Sequence, residues 1–147
     1  MSRQLIASGA ALSKFREMVD LQGGNAKVVD DPKRLPRAEH TLDVVSKKAG
    51  YVTAIQCEQA GTACVLLGGG RERKEDSVDP AVGFVLHKKV DDSVAVGEPL
   101  CTVHYNSEAR AQRAQALLQE SFQIGETPPA DRRRLVHRVI TKSGEKN

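Results

Sequence analysis

The residues of this sequence that could do chemistry form a few groups, and their spacing limits what each can do. The first is the run Gly68-Gly69-Gly70, followed by Arg71, Arg73 and Lys74. Successive backbone N–H groups in a tight turn make a concave nest for an anion, and adjacent cations would reinforce it. A phosphate loop, however, places its glycines between a strand and a helix and closes on Lys-Ser or Lys-Thr. No such pair follows here, and 68–73 also misses the G-x-G-x-x-G dinucleotide pattern. These residues favour a turn that ends a helix.

Glu75, Asp76 and Asp79 could act as paired carboxylates, but they alternate with Arg71, Arg73 and Lys74. Surface ion pairing is the expected arrangement. His40, His87, His104 and His137 show no H-E-x-x-H or related ligand spacing. His87, Cys101 and His104 could meet on neighbouring strands as metal ligands, although nothing in their spacing asks for it. A Cys101–His104 nucleophilic pair fails on geometry, because residues three apart on one strand face opposite sides. Cys57, Cys64 and Cys101 are odd in number and lack C-x-x-C spacing, which points to reduced, buried thiols. We therefore assign no catalytic, substrate-binding or metal-ligating residue, and no cofactor.

The elements that would carry these residues follow from periodicity. Leu12, Phe15 and Val19 recur at helical spacing, predicting a helix over 5–22 that Gly23-Gly24 ends. Asp31-Pro32 and Leu35-Pro36 make a connector from which proline excludes helix. Strands are expected around Leu42, Val44 and Val45, over 49–55, over 82–87 after the charged loop, and over 99–104, with a turn at Asp91-Asp92 beyond Lys88 and Lys89. Ala60, Ala63, Cys64 and Leu67 form the face of a short helix leading into the glycines. Asn106 or Ser107 can cap a further helix with Ala111, Ala114 and Leu118 as its stripe and Arg110 and Arg113 on a solvated face. Pro128-Pro129 ends that region. A last strand over 135–140 and a frayed tail over 143–147 complete the chain. The fold class is α+β: a small sheet with flanking helices and one peripheral N-terminal helix. The apolar face of that first helix needs a surface to cover.

Composition narrows the function classes. The 147 residues are one domain's worth, and 22 Lys+Arg against 19 Asp+Glu are well mixed, giving +3 overall. Aromatics are only 3% with no Trp, so the core rests on aliphatic side chains and a base-stacking platform is excluded. No apolar run approaches the roughly 20 residues of a membrane span. Met1-Ser2-Arg3-Gln4 lacks the start of a secretory signal, so a cytoplasmic location is expected.

Several separated stretches, in order, resemble one family. They are Ala11-Leu12 with Lys14-Phe15 and Gln22-Gly23-Gly24; Asp31-Pro32 with Leu35-Pro36; Gly50-Tyr51-Val52 with Ile55; 67–71; 74–83; and Val94 with 97–104. Together they look like the C-terminal portion of the pyrimidine-nucleoside phosphorylases, which include thymidine phosphorylase. The resemblance implies an α/β-hammerhead-like domain over 42–147, a connector over 25–41, and an N-terminal helix over 1–24 that would pack on a missing α/β domain. It implies a parent enzyme, a pentosyltransferase of nucleoside salvage, that cleaves thymidine or uridine with phosphate to free base and (deoxy)ribose 1-phosphate. The family's Lys-x-Ser-Thr-Gly-Gly and Ser-Gly-Arg-Gly motifs lie upstream of the matched region and are absent here. No catalytic residue carries over, and the chain alone is expected to be inactive, a supporting module whose partner is the missing catalytic portion, with a homodimer possible.

Two other readings stand beside it. The segment 94–103 resembles a half-barrel strand and turn of lipoyl or biotinyl carrier domains, but Met-Lys-Met and Asp-Lys-Ala are absent and Lys74 lies in an Arg-Lys-Glu context. A stand-alone adaptor would instead bind a partner through the N-terminal helix.

Overall fold

Glycines at positive φ punctuate the N-terminal unit, Met1–Ala38, in a computed structural model that describes residues 2–130, 136, 138–141 and 144–146. The helix expected over 5–22 is two helices, α1 (Ser2–Ala7) and α2 (Ala10–Leu21). Gly9 sits between them at φ 76, a conformation that no helix residue adopts and that strains a residue bearing Cβ. Its N–H bonds Ile6 O at 3.1 Å and the Ser8 hydroxyl bonds Leu5 O at 3.3 Å, so the last carbonyls of α1 find local donors. Gly23, at φ 77, ends α2 as expected; its N–H and that of Gly24 turn back to Asp20 O and Val19 O.

Pro32 starts a helical turn where it was expected to forbid one. Pro32–Arg34 is a 3₁₀ turn with proline at its first position, where the missing N–H has no partner to lose, and Asp31 caps it through the Lys33 N–H at 3.2 Å. Asn25 caps the preceding 3₁₀ turn, Ala26–Val29, in the same way, and Arg16 pairs with Asp30 beyond it. No residue of these helices and turns is buried, and Leu5, Ile6, Leu12, Phe15, Met18 and Leu21 are all exposed.

The second unit, Glu39–Asn147, is α+β, and where one small sheet was expected its described residues form two three-stranded sheets and a two-stranded ribbon. In the first, β1 (His40–Val45) and β3 (Gly83–Leu86) flank β5 (Pro99–Tyr105), all antiparallel. Register sets Leu42 and Phe84 beside Val103, and Val44 and Leu86 beside Cys101, a row with the fully buried Val44, Cys101 and Val103 at its centre. Thr41, Asp43, Thr102 and His104 alternate onto the other face. In the second sheet β2 (Gly50–Ile55) is central, between β4 (Ser93–Val94) and β6 (Phe122–Gly125). A Cβ on Gly50 would stand 2.3 Å from Gly125 O, so only glycine permits that pairing.

Periodicity did not predict β4 or β6. The first is two residues long, and the second follows α4 (Glu108–Ser121) with no intervening loop, because Phe122 leaves the helix directly at extended angles. A helix stripe and a strand alternation meeting at one residue offer no turn signal to read.

Helix α3 (Cys57–Cys64) packs against α4, with Ala60 and Ala63 on one side and Ala111 and Ala114 on the other, all buried. Such small side chains let two helix backbones approach closely. Leu118, Leu67, Val52, Leu100 and Phe122 complete the core. Near the C-terminus the described residues extend the expected strand into a pair. The strand expected over 135–140 is present among the described residues at Val139 and Ile140, within β7 (Val139–Thr141), and 144–146, expected in a frayed tail, pair with it as β8 (Gly144–Lys146), since pairing satisfies backbone groups that a tail leaves to water. Leu135 and His137 lie outside the described residues. Among the described residues no helix is long and apolar enough to cross a membrane.

Candidate functional site

Helix α3 runs on through a wide π-type turn, Val65–Gly69, and there the glycine run does two jobs. Gly68 stands at φ 103, which ends the helix as the sequence suggested, and its carbonyl accepts the Asp79 N–H at 2.9 Å. The second job was not foreseen. A Cβ on Gly68 would lie 2.8 Å from Arg110 Nη1, so the bare backbone makes room for a guanidinium reaching over from α4.

The loop after the glycines closes on itself. Asp76 Oδ2 accepts the N–H groups of Arg73 (2.8 Å) and Glu72 (3.1 Å). Asp79 accepts the Ala81 N–H at 2.9 Å and the Asn106 amide at 2.8 Å. Asn106 in turn accepts the Glu39 N–H at 2.8 Å, so one side chain ties the start of this unit to the end of the loop. The Ala81 N–H, and after it the Asn106 amide, favour the charged form and hold the Asp79 carboxyl below its ordinary 3.8. The ion pairing expected among Arg71, Arg73, Lys74, Glu75, Asp76 and Asp79 is not seen among the described residues. Backbone N–H groups of a tight loop need acceptors, and Asp76 and Asp79 supply them, whereas an exposed ion pair stabilises little.

Between this loop, the Val65–Gly69 turn and the first turns of α4 lies a cavity of about 410 Å³. Arg73, Arg110 and Arg113 line it with Asp76, Asp79 and Glu72. Arg110 and Arg113 are exposed, as expected, but they front this cavity and not merely open solvent. Their spacing from Ser107 was the available signal; what hid it was that the glycine turn lies some forty residues earlier in the chain. Ser107 occupies the cap position of α4 without a side-chain bond to the helix, and the Asn106 side chain is engaged elsewhere.

A second polar cluster crosses the open face of the β1–β5–β3 sheet. Thr102 Oγ1 donates to Asp43 at 2.5 Å and meets His87 Nε2 at 2.7 Å. With the hydroxyl proton directed at the carboxylate, His87 Nε2 is the donor of the pair. Activating a hydroxyl nucleophile requires the reverse, a hydroxyl donating to imidazole. His104 lies in the next row of that face and Cys101 is buried on the other side, so the two are not brought together. His40 instead packs its ring 5.5 Å from that of Tyr105. Burial, with the nearby Asp43 charge adding to it, pushes the Cys101 thiol up to about 11. Cys57 is exposed and Cys64 half-buried, so only Cys101 is the buried thiol the sequence led us to expect of all three. No group of three His, Cys, Asp or Glu side chains among the described residues could hold a metal ion.

The family described as pyrimidine nucleoside phosphorylase C-terminal domain matches residues 51–125, a span that takes in both helices of the core and the cavity. The chain is 40% identical, over 139 residues, to the pyrimidine-nucleoside phosphorylase of Bacillus subtilis (strain 168), covering 95% of this chain and 31% of that protein. It is 48% identical, over 103 residues, to the pyrimidine-nucleoside phosphorylase of Staphylococcus aureus (strain USA300), covering 70% of this chain and 24% of that protein. The chain thus spans from just under a quarter to just under a third of the length of these curated relatives.

Proposed function

The chain belongs to the pyrimidine nucleoside phosphorylase C-terminal domain family, and on that premise we propose that it is the supporting module of a phosphorolytic enzyme rather than a catalyst in its own right. The observation that carries this reading is the extent of the matches, which cover 70–95% of the chain yet under a third of the relatives. In the parent reaction phosphate attacks the anomeric carbon of a pyrimidine nucleoside. A C–O bond forms as the C–N bond to the base breaks, giving free base and a (deoxy)ribose 1-phosphate. A module of this kind braces the domain that binds phosphate and limits how far it closes over substrate. Domain organisation follows the same reading: the 1–24 segment packs on a catalytic portion, 25–41 connects, and 42–147 forms the module. Salvage of pyrimidine nucleosides in the cytoplasm, in a dimeric parent, completes the proposal.

The carrier reading has less support. The segment 94–103 divides between β4 and β5, which belong to different sheets, so it is not the continuous hairpin that presents a modified lysine. The adaptor reading shares its apolar helices with the module and makes no separate claim on them.

The test is phosphorolysis by the purified chain, with thymidine and uridine in excess phosphate and base release followed by ultraviolet absorbance. We expect no turnover from the chain alone and recovered turnover when the catalytic portion of a relative is added. Turnover by the unaided chain would place the chemistry within these residues and overturn the proposal.

A further inference from the structure

The cavity at the glycine run is more than a by-product of loop packing. Two of its three carboxylates are engaged and its guanidinium donors are not. Asp76 and Asp79 both bond N–H groups of their own surroundings, whereas none of the guanidinium groups of Arg73, Arg110 and Arg113 makes a hydrogen bond or ion pair among the described residues, although all three line the same space as those carboxylates. Each guanidinium presents five N–H donors in a planar fork suited to oxyanions. Gly68 has no side chain to interpose, so Arg110 lies directly over the turn, with Arg113 one step further along the same helix face. The Glu72 carboxylate, which makes no hydrogen bond or ion pair among the described residues, and the Ser77 hydroxyl supply acceptors for hydroxyl groups on the loop side.

We propose that this cavity binds a small phosphate monoester, with Arg110 and Arg113 holding the phosphate over Gly68 and Arg73 closing on it from the loop. The formal charges of the lining residues cancel, so directed donors and not net potential select the ligand. A phosphate offers three acceptor oxygens and up to two charges to three uncommitted forks, a better match than the two oxygens of one carboxylate. At about 410 Å³ the space exceeds what a bare oxyanion fills and lies within the range of small-molecule sites. The ester portion therefore has room beside Glu72 and Ser77, which can bond its hydroxyl groups. The proposal does not depend on the phosphorolytic reading, since it concerns residues of this chain alone.

Amide NMR titration of the ¹⁵N-labelled chain tests it, with inorganic phosphate, ribose 5-phosphate and sodium chloride at matched ionic strength as the three additives. We expect saturable shifts at the amides of Gly68, Gly69, Gly70, Arg110 and Arg113 with both phosphates, tighter for the monoester, and none with chloride. The double variant Arg110→Gln/Arg113→Gln should weaken binding about tenfold or more, and Arg37→Gln in the N-terminal unit should leave it unchanged. Arg73→Gln lies off the helix and gives a second test should the double variant fold poorly; it should weaken binding severalfold. No saturable shift at these amides, or shifts that survive both sets of substitutions, overturns the site. Equal affinity for inorganic phosphate and the monoester overturns the assignment of the ester portion.

Discussion

Leu118→Ala offers the most direct test of how the second unit is held together. Leu118 is fully buried on α4, and its neighbours in the core include Ala60, Ala63, Ala111 and Ala114. Removing three carbons forfeits about 2.4 kcal/mol of transfer free energy at roughly 0.8 per carbon. The cavity adds to this in proportion to how little the surroundings relax, and alanines have no side chain to extend into it. The loss should therefore fall in the upper part of the usual range, at about 4 kcal/mol. That is a large share of a total stability on the order of 5–15 kcal/mol, and it should lower Tm by roughly 15 °C. With no Trp in the chain, urea unfolding is best followed by far-ultraviolet circular dichroism. The midpoint should move with little change in the slope, as for a pure stability change. Leu12→Ala on α2, where the side chain is 51% exposed, serves as the reference and should cost less than about 0.5 kcal/mol. A Leu118→Ala loss below about 1 kcal/mol would refute the argument that α4 is seated by this stripe.

Further outcomes follow from the titrating groups. The Asp79 carboxyl is lowered in the folded chain, so its contribution to stability is present above the ordinary value of 3.8 and is lost as pH falls through the lower folded value. Carboxyl NMR of Asn106→Ala should show the Asp79 midpoint rising towards 3.8 without reaching it, because the Ala81 N–H, the larger cause, remains; an unmoved midpoint would remove Asn106 from the loop's anchoring. Thiol labelling at mildly alkaline pH should modify Cys57 quickly, Cys64 slowly and Cys101 only on unfolding, given burial and a thiol pushed up to about 11. Rapid labelling of all three in the native protein would contradict the packing of β5.

Local rules were legible wherever the signal was local. Alternation placed β1, β2, β3 and β5, and the 3.6-residue spacing of Ala111, Ala114 and Leu118 placed the buried face of α4. Gly23 and Gly68 end helices as their type requires, through conformations that a residue with Cβ resists. The same logic misjudged Gly9, which stood within a helical apolar pattern and broke it, and Pro32, whose fixed φ opens a turn as readily as it closes one. Similarity of separated stretches identified the family without any contact being known.

What the chain order could not disclose was which distant residues share a space. The division of strands between the two three-stranded sheets depends on partners more than seventy residues apart, such as Tyr51 and Gly125, and β6 has meaning only against β2. Asp76 and Asp79 looked like partners for the neighbouring cations until the fold set backbone N–H groups before them at hydrogen-bond distance. Arg110 and Arg113 looked like an ordinary solvated face until packing of α3 on α4 carried the glycine turn beneath them. Residue type and spacing therefore determined the elements, the family and the chemistry each side chain has available. Tertiary packing alone decided which donors remained uncommitted and around what cavity they converge, because those are properties of groups far apart in sequence and a few ångströms apart in space.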